Sequence, residues 1–149
     1  MVACGSAAYA TQVGKYIIEE YAKLPVDTEL ASEYRYRTVI PDPKSAVLAV
    51  TQSGETADTL AAVRLAKEMN LLTLGIVNTV GSTIARETDA GVYNHAGPEI
   101  SIASSKAVIS QIVVMILLTL LIAREKEMSL EEGKEIVKAL QELPDAVQK

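Results

Sequence analysis

The sequence predicts a three-layer α/β/α sandwich, with helices on both faces of a five-stranded parallel sheet. Short apolar runs of strand length alternate with helical patterns along the chain, and strands separated by helices pair in parallel. Five such strands fit the flavodoxin-like order, in which ligands bind outside the carboxyl ends of the strands. With 149 residues, 49% hydrophobic and 22% charged, the chain has the size and composition of one domain with a buried core.

Met1 to Cys4 reads as a short apolar strand, followed by a helical pattern from about Ala7 to Leu24. Pro25 punctuates, and Val26 to Ala31 alternates as a second strand. Pro41 and Pro43 mark a loop before the apolar run Ser45 to Val50. Thr56 to Asn70 reads as a helix with Leu60, Val63 and Leu65 inward, and Leu71 to Val77 as the next strand. Ser82 to Glu87 gives one or two helical turns and Gly91 to Tyr93 a last strand. A long apolar helix spans Ala103 to about Lys126. After Ser129 as N-cap, a charged helix runs to about Leu143, where Pro144 is expected to interrupt it. The first strand begins almost at Met1 and the last helix simply stops, so both ends read as cut from a longer protein.

A net charge of −5 argues against nucleic acid or an anionic membrane as partner. A single cysteine, Cys4, excludes an internal disulfide and favours a reducing cytoplasm. The run Ile109 to Ala123 contains Ser110, Gln111 and Thr119 and falls short of the roughly 20 apolar residues of a membrane span. It reads instead as a helix buried on nearly all sides, in the core or at a subunit interface. Neither a Cys/His pair nor H-E-x-x-H occurs, so no metal is expected.

The chemistry concentrates where strands end. Thr51 to Thr59 (TQSGETADT) follows the Ser45 to Val50 strand and opens a helix. Helix starts leave N–H groups unpaired and carry partial positive charge, so a phosphate is held there by backbone donors and short hydroxyls. Neither the G-x-G-x-x-G nor the lysine-bearing P-loop spacing is present, which points to a phosphorylated small molecule rather than a dinucleotide or ATP. Cys4-Gly5-Ser6 repeats the pattern at the first strand, Asn78 to Thr83 at the fourth, and Ser101, Ser104, Ser105 and Lys106 open the long helix. Cys4 itself reads as a small apolar filler. His95 is the only histidine, and Glu99 stands beside the serine-rich loop.

The segments A31-S-E-Y-R-Y-R37, T51-Q-S-G-E-T-A-D-T-L60 and E99-I-S-I-A-S-S-K106 resemble, in this order and spacing, the first sugar isomerase (SIS) domain of the glutamine–fructose-6-phosphate aminotransferase family. The likeness runs from Cys4 to Leu140–Pro144. It implies the SIS fold for residues 1–128, with 129–149 as a C-terminal helix and the start of a linker towards a second SIS domain. By the same resemblance, Ser53 and Thr56 with Thr51 and Gln52 would bind the phosphate of a hexose 6-phosphate, fructose 6-phosphate or glucosamine 6-phosphate. Cys4, Gly5 and Ser6 would line the sugar site, and Ile102 and Ser104 would contact the sugar.

Four positions depart from the family pattern: Ala7 and Thr51 stand where Ser is usual, Ser105 for Thr and His95 for Asn. Family members carry their isomerising groups in the second SIS region and a cysteine nucleophile in a glutaminase domain, and Cys4 is not that cysteine. The resemblance therefore implies a sugar-phosphate site with no catalytic residue and no cofactor, inactive in isolation, in a cytoplasmic homodimer or higher oligomer. Two alternatives remain at this stage. One is a stand-alone SIS isomerase with Glu99 or His95 as base; the other is a regulatory or assembly module.

Overall fold

The centre of the protein is strand β3 (Ala46–Thr51), paired in parallel over its whole length with β4 (Leu72–Val77), from Ala46 opposite Leu72 to Thr51 opposite Val77. On its other side lies the two-residue β1 (Val2–Ala3), and the edges are β2 (Glu29–Leu30) and β5 (Ala90–Tyr93). The order is β2-β1-β3-β4-β5, all parallel, which is the flavodoxin-like order the alternating pattern predicts. These features come from a computed structural model that describes residues 1–100 and 104–148.

Residues 47 to 51 of β3 are all buried, as expected of a parallel strand covered on both faces. Side chains alternate along it. Val47 and Ala49 join the core under α2 (Ala31–Tyr36), α3 (Ala57–Glu68) and α4 (Thr83–Glu87), which contribute Tyr34, Val63 and Ile84. Leu48 and Val50 face α1 (Ser6–Ala22) and α5 (Lys106–Arg124), meeting Ala7, Ala10 and Met115. A third cluster, with Ile18, Leu120 and Met128, seats α6 (Leu130–Gln148) on the far end of this layer. Ser129 starts α6 with a reciprocal cap: the Glu132 N–H donates to Ser129 Oγ, and the Ser129 N–H donates to Glu132 Oε2.

Three expectations are corrected. The strand expected over Val26–Ala31 is only Glu29–Leu30, and a helix begins at Ala31. Ala31 and Tyr34, three residues apart, bury one helical face there, and this contact outweighs the extended pattern before it. Pro144 does not interrupt the last helix, which continues to Gln148. The lost N–H and the crowded carbonyl of Leu140 are tolerated because this end of the helix is largely exposed and water can serve the carbonyl. Helix α5, expected to be buried on nearly all sides in the core or at a subunit interface, is not enclosed in the core of this chain: it buries one face on α1 and leaves Ile109, Leu117 and Leu121 exposed. By length and mean hydropathy (2.4) it could cross a membrane, yet its buried face already packs on the sheet layer.

At the β5 edge, Asp89 Oδ2 accepts from the Thr73 hydroxyl at 2.7 Å and the Thr73 N–H at 2.8 Å, and Lys67 Nζ lies 3.1 Å from Oδ1. The Thr73 hydroxyl, then its N–H, then Lys67 hold the Asp89 carboxyl down at about 2. A carboxylate with a depressed folded pKa contributes stability above its unfolded pKa and loses it as pH falls through the folded value. Denaturant titrations of Asp89→Asn against the unaltered chain should show a stability gap that is constant above about pH 4. The gap should close towards pH 2.

Candidate functional site

The carboxyl ends of β1 and β3 open onto a cavity of about 270 Å³ lined by Cys4, Ser6, Ala7, Thr51, Gln52, Ser53, Thr56, Glu99, Ser104 and Gln111. Most of the residues singled out from the sequence thus meet around one space, drawn from four separate stretches of chain. Gly5 does not line the cavity but makes the turn into it. Its φ of 57° at the N-cap of α1 is a left-handed value that suits glycine. Ile102 lies outside the described residues.

The Thr51–Thr56 loop is folded on itself and braced from outside. The Gly54 N–H donates to Thr51 Oγ1 at 3.2 Å, and the Glu55 N–H donates to Ser53 Oγ at 3.2 Å. The loop after β4, which the sequence marks as a further anion site, does not reach the cavity; it supports its neighbour. The Asn78 and Thr79 N–H groups donate to the carbonyls of Thr51 and Gln52 at 3.3 and 3.1 Å, and the Ile84 N–H donates to the Gly54 carbonyl at 3.0 Å. Glu55 Oε1 accepts from the Thr83 N–H at 2.7 Å, a bond that also lowers the Glu55 pKa. Gly54 sits at φ 68° with Ser82 against it, where an added Cβ would lie 2.0 Å from Ser82 Oγ.

Three helix starts border the cavity, and they differ. Neither Gly5 at α1 nor Thr56 at α3 makes a side-chain cap hydrogen bond, so both ends keep donors to offer. The start of α5 is occupied. Glu99 Oε1 accepts from the N–H groups of Ser105 (2.8 Å) and Lys106 (3.1 Å), and Oε2 accepts from the Ser104 hydroxyl (2.6 Å). The Ser104 hydroxyl first, and the helix N–H groups after it, hold the Glu99 pKa below the usual carboxylate range. A carboxylate stabilised in its charged form is a poor general base.

Cys4 is half-buried, with the Thr59 hydroxyl 3.6 Å from Sγ, consistent with a packing role. His95 is exposed, tilted against Tyr93 at 5.9 Å between ring centroids, and does not line the cavity. Three lining residues fall outside the site set named from the sequence. Ala7 reads from sequence only as a lost donor, Glu99 only as a base, and Gln111 is hidden within an apolar run.

An open parallel sheet with a hydroxyl-lined cavity between helix starts at its carboxyl edge defines an α/β domain of the kind that binds ligands beyond its strand ends. The chain belongs to the SIS domain family, whose profile matches residues 1–123. It is 48% identical over 145 residues to glutamine–fructose-6-phosphate aminotransferase (isomerizing) of Chlorobaculum tepidum, covering 97% of this chain and 24% of that protein. The same enzyme of Corynebacterium glutamicum is 48% identical over 149 residues, again covering 24% of its length. The chain therefore spans about a quarter of these relatives. Among solved structures it superposes on the C-terminal domain of glucosamine-fructose-6-phosphate aminotransferase from Francisella tularensis with a TM-score of 0.91 and 38% identity, over 94% of this chain and 40% of that one. Glucosamine-6-phosphate deaminase of Thermotoga maritima follows at 0.75 and 26% identity, over 92% and 42%.

The packing of Gly54 on Ser82 predicts that Gly54→Ala is costly. Left-handed strain adds about 1–2 kcal/mol and overpacking about 1–3 kcal/mol. In urea melts Gly54→Ala should lose stability in that range, and Gly54→Ala combined with Ser82→Gly should recover only the part of the overpacking share due to Ser82, since the added Cβ still lies 2.9 Å from Val77 Cγ1.

Proposed function

We propose that the chain binds a hexose 6-phosphate, as the first SIS domain of the isomerase half of an aminotransferase that forms glucosamine 6-phosphate from fructose 6-phosphate and glutamine. The unequal helix starts carry this reading. Glu99 fills the donors of α5, so the phosphate goes to the starts of α1 and α3, beside Ser6, Ser53 and Thr56. Thr51 and Gln52 complete the phosphate cradle, Cys4 and Ser104 border the sugar, and Gly5 makes the turn into the cavity; the part of Ile102 in sugar contact rests on the sequence resemblance alone. Residues 1–128 form the binding unit and 129–149 lead towards a second SIS domain, in keeping with relatives four times as long. The chain contributes a binding wall and no catalytic group. A stand-alone isomerase needs a free base, and the one cavity-lining carboxylate among the described residues is tied to α5. We further assign the protein to the cytoplasm, as a homodimer or higher homo-oligomer joined through the exposed apolar side of α5.

Two experiments test this. Calorimetric titration with fructose 6-phosphate should show saturable binding, weakened by Ser53→Ala plus Thr56→Ala, each lost hydrogen bond to the charged group being worth about 1.5–3 kcal/mol. Absence of heat at millimolar ligand refutes the reading. In sedimentation, the paired changes Leu117→Arg and Leu121→Arg should convert an oligomer to a monomer, and a wild-type monomer contradicts the assigned assembly.

A further inference from the structure

Gln111, in the second turn of α5, lines the cavity together with Ser104, which precedes the helix. It is 1% exposed, and its Oε1 has no hydrogen-bond partner among the described residues. Its neighbours on that face of α5 are Ala107 and Met115, both fully buried and without a donor side chain. From α1 the cavity receives Ser6 and Ala7, and the Ala7 methyl carries no hydrogen to donate. Ser104, just before α5, is already committed to Glu99 at 2.6 Å, and Ser110 on α5 donates to the Ala107 carbonyl at 3.0 Å. Buried amide oxygens are almost always paired, so an unpaired one on a cavity wall marks where the cavity's contents complete the bond.

We propose that Gln111 is a specificity-determining residue of this cavity, its Oε1 accepting a hydrogen bond from a hydroxyl or amino group on the carbon skeleton of the ligand. The inference rests on the sugar-phosphate reading above and adds a direction to it. Phosphate oxygens at neutral pH are chiefly acceptors, and an amide oxygen repels them. The phosphate therefore sits at the Thr51–Thr56 loop, and the donor-bearing skeleton faces Gln111. From this oxygen phosphate alone gains nothing, whereas a polyol phosphate gains an acceptor.

The test compares inorganic phosphate with fructose 6-phosphate by calorimetry on the unaltered chain and on Gln111→Met, which keeps the length of the side chain and removes the acceptor. The dissociation constant for fructose 6-phosphate should rise about tenfold while that for inorganic phosphate stays within about twofold. The melting temperature should hold or rise, since the lost oxygen had no partner to leave behind. Unchanged fructose 6-phosphate affinity overturns the proposal, as does a parallel loss for both ligands. A variant that melts markedly lower or does not fold also overturns it, because the amide is then structural. An unaltered chain that binds neither ligand removes the sugar-phosphate reading and this inference together; binding that Gln111→Met leaves intact removes this inference alone.

Discussion

Strand β3 is buried on both faces and hydrogen-bonded on both edges, and the rest of the protein is arranged around that constraint. A strand so placed has no route to water except at its ends. Its odd residues need the α2–α3–α4 layer and its even residues the α1–α5 layer, so neither helical layer is dispensable. The small side chains of β1 and β3, Ala3 and Ala49 among them, let the layers approach closely, each fully buried. Polarity is then forced to the carboxyl end, where Thr51 is the first residue of the strand able to supply a hydroxyl.

From there a chain of bonds ties the loops together. Asn78 is the joint: its N–H holds the Thr51 carbonyl, its Nδ2 donates to the Gly97 carbonyl at 2.8 Å, and its Oδ1 accepts from the Ala96 N–H at 2.7 Å. Gly97 stands two residues before Glu99, which closes onto the start of α5. The β3, β4 and β5 ends and the long helix are thereby fixed by one another, and the cavity walls are held before any ligand arrives. Preorganisation of this kind reduces the ordering cost of binding.

The sequence makes the sheet legible because alternation of strand and helix leaves few topologies open, and because hydroxyl-rich strand ends are local signals. What it hides depends on distant contacts. The helix Ala31–Tyr36 is too short to show a period, and the burial of Tyr34 against β1 and α3 decides it. The Asn78–Ser82 loop resembles the Thr51–Thr56 loop in composition, and only the fold shows that its donors point at backbone carbonyls. Glu99 reads from sequence as a base beside serines, although its donors are the N–H groups of the following helix. Gln111 is the reverse case. In a long apolar run it registers as a flaw in hydrophobicity, and its meaning appears only when the sheet brings Thr51 and Ser6 to the same cavity.

The charge pattern of the cavity shows how an acidic protein could hold the proposed phosphate. Among the described residues no Lys or Arg lines the cavity, and the one carboxylate there is neutralised in effect by the α5 start it caps. Attraction must come from neutral donors: hydroxyls, backbone N–H groups and the partial positive charge of two open helix ends. Such donors act only at hydrogen-bonding range, so they reward shape and donor placement more than net charge. A lysine would hold any anion from a distance and would need no sugar. The arrangement of Ser53, Thr56 and the α1 start instead favours an anion that can be drawn fully into the cavity, and the opposite wall then decides what that anion is attached to. In the proposed reading, recognition is divided between a charge-neutral phosphate cradle and an acceptor wall, with Glu99 keeping the third helix start out of competition.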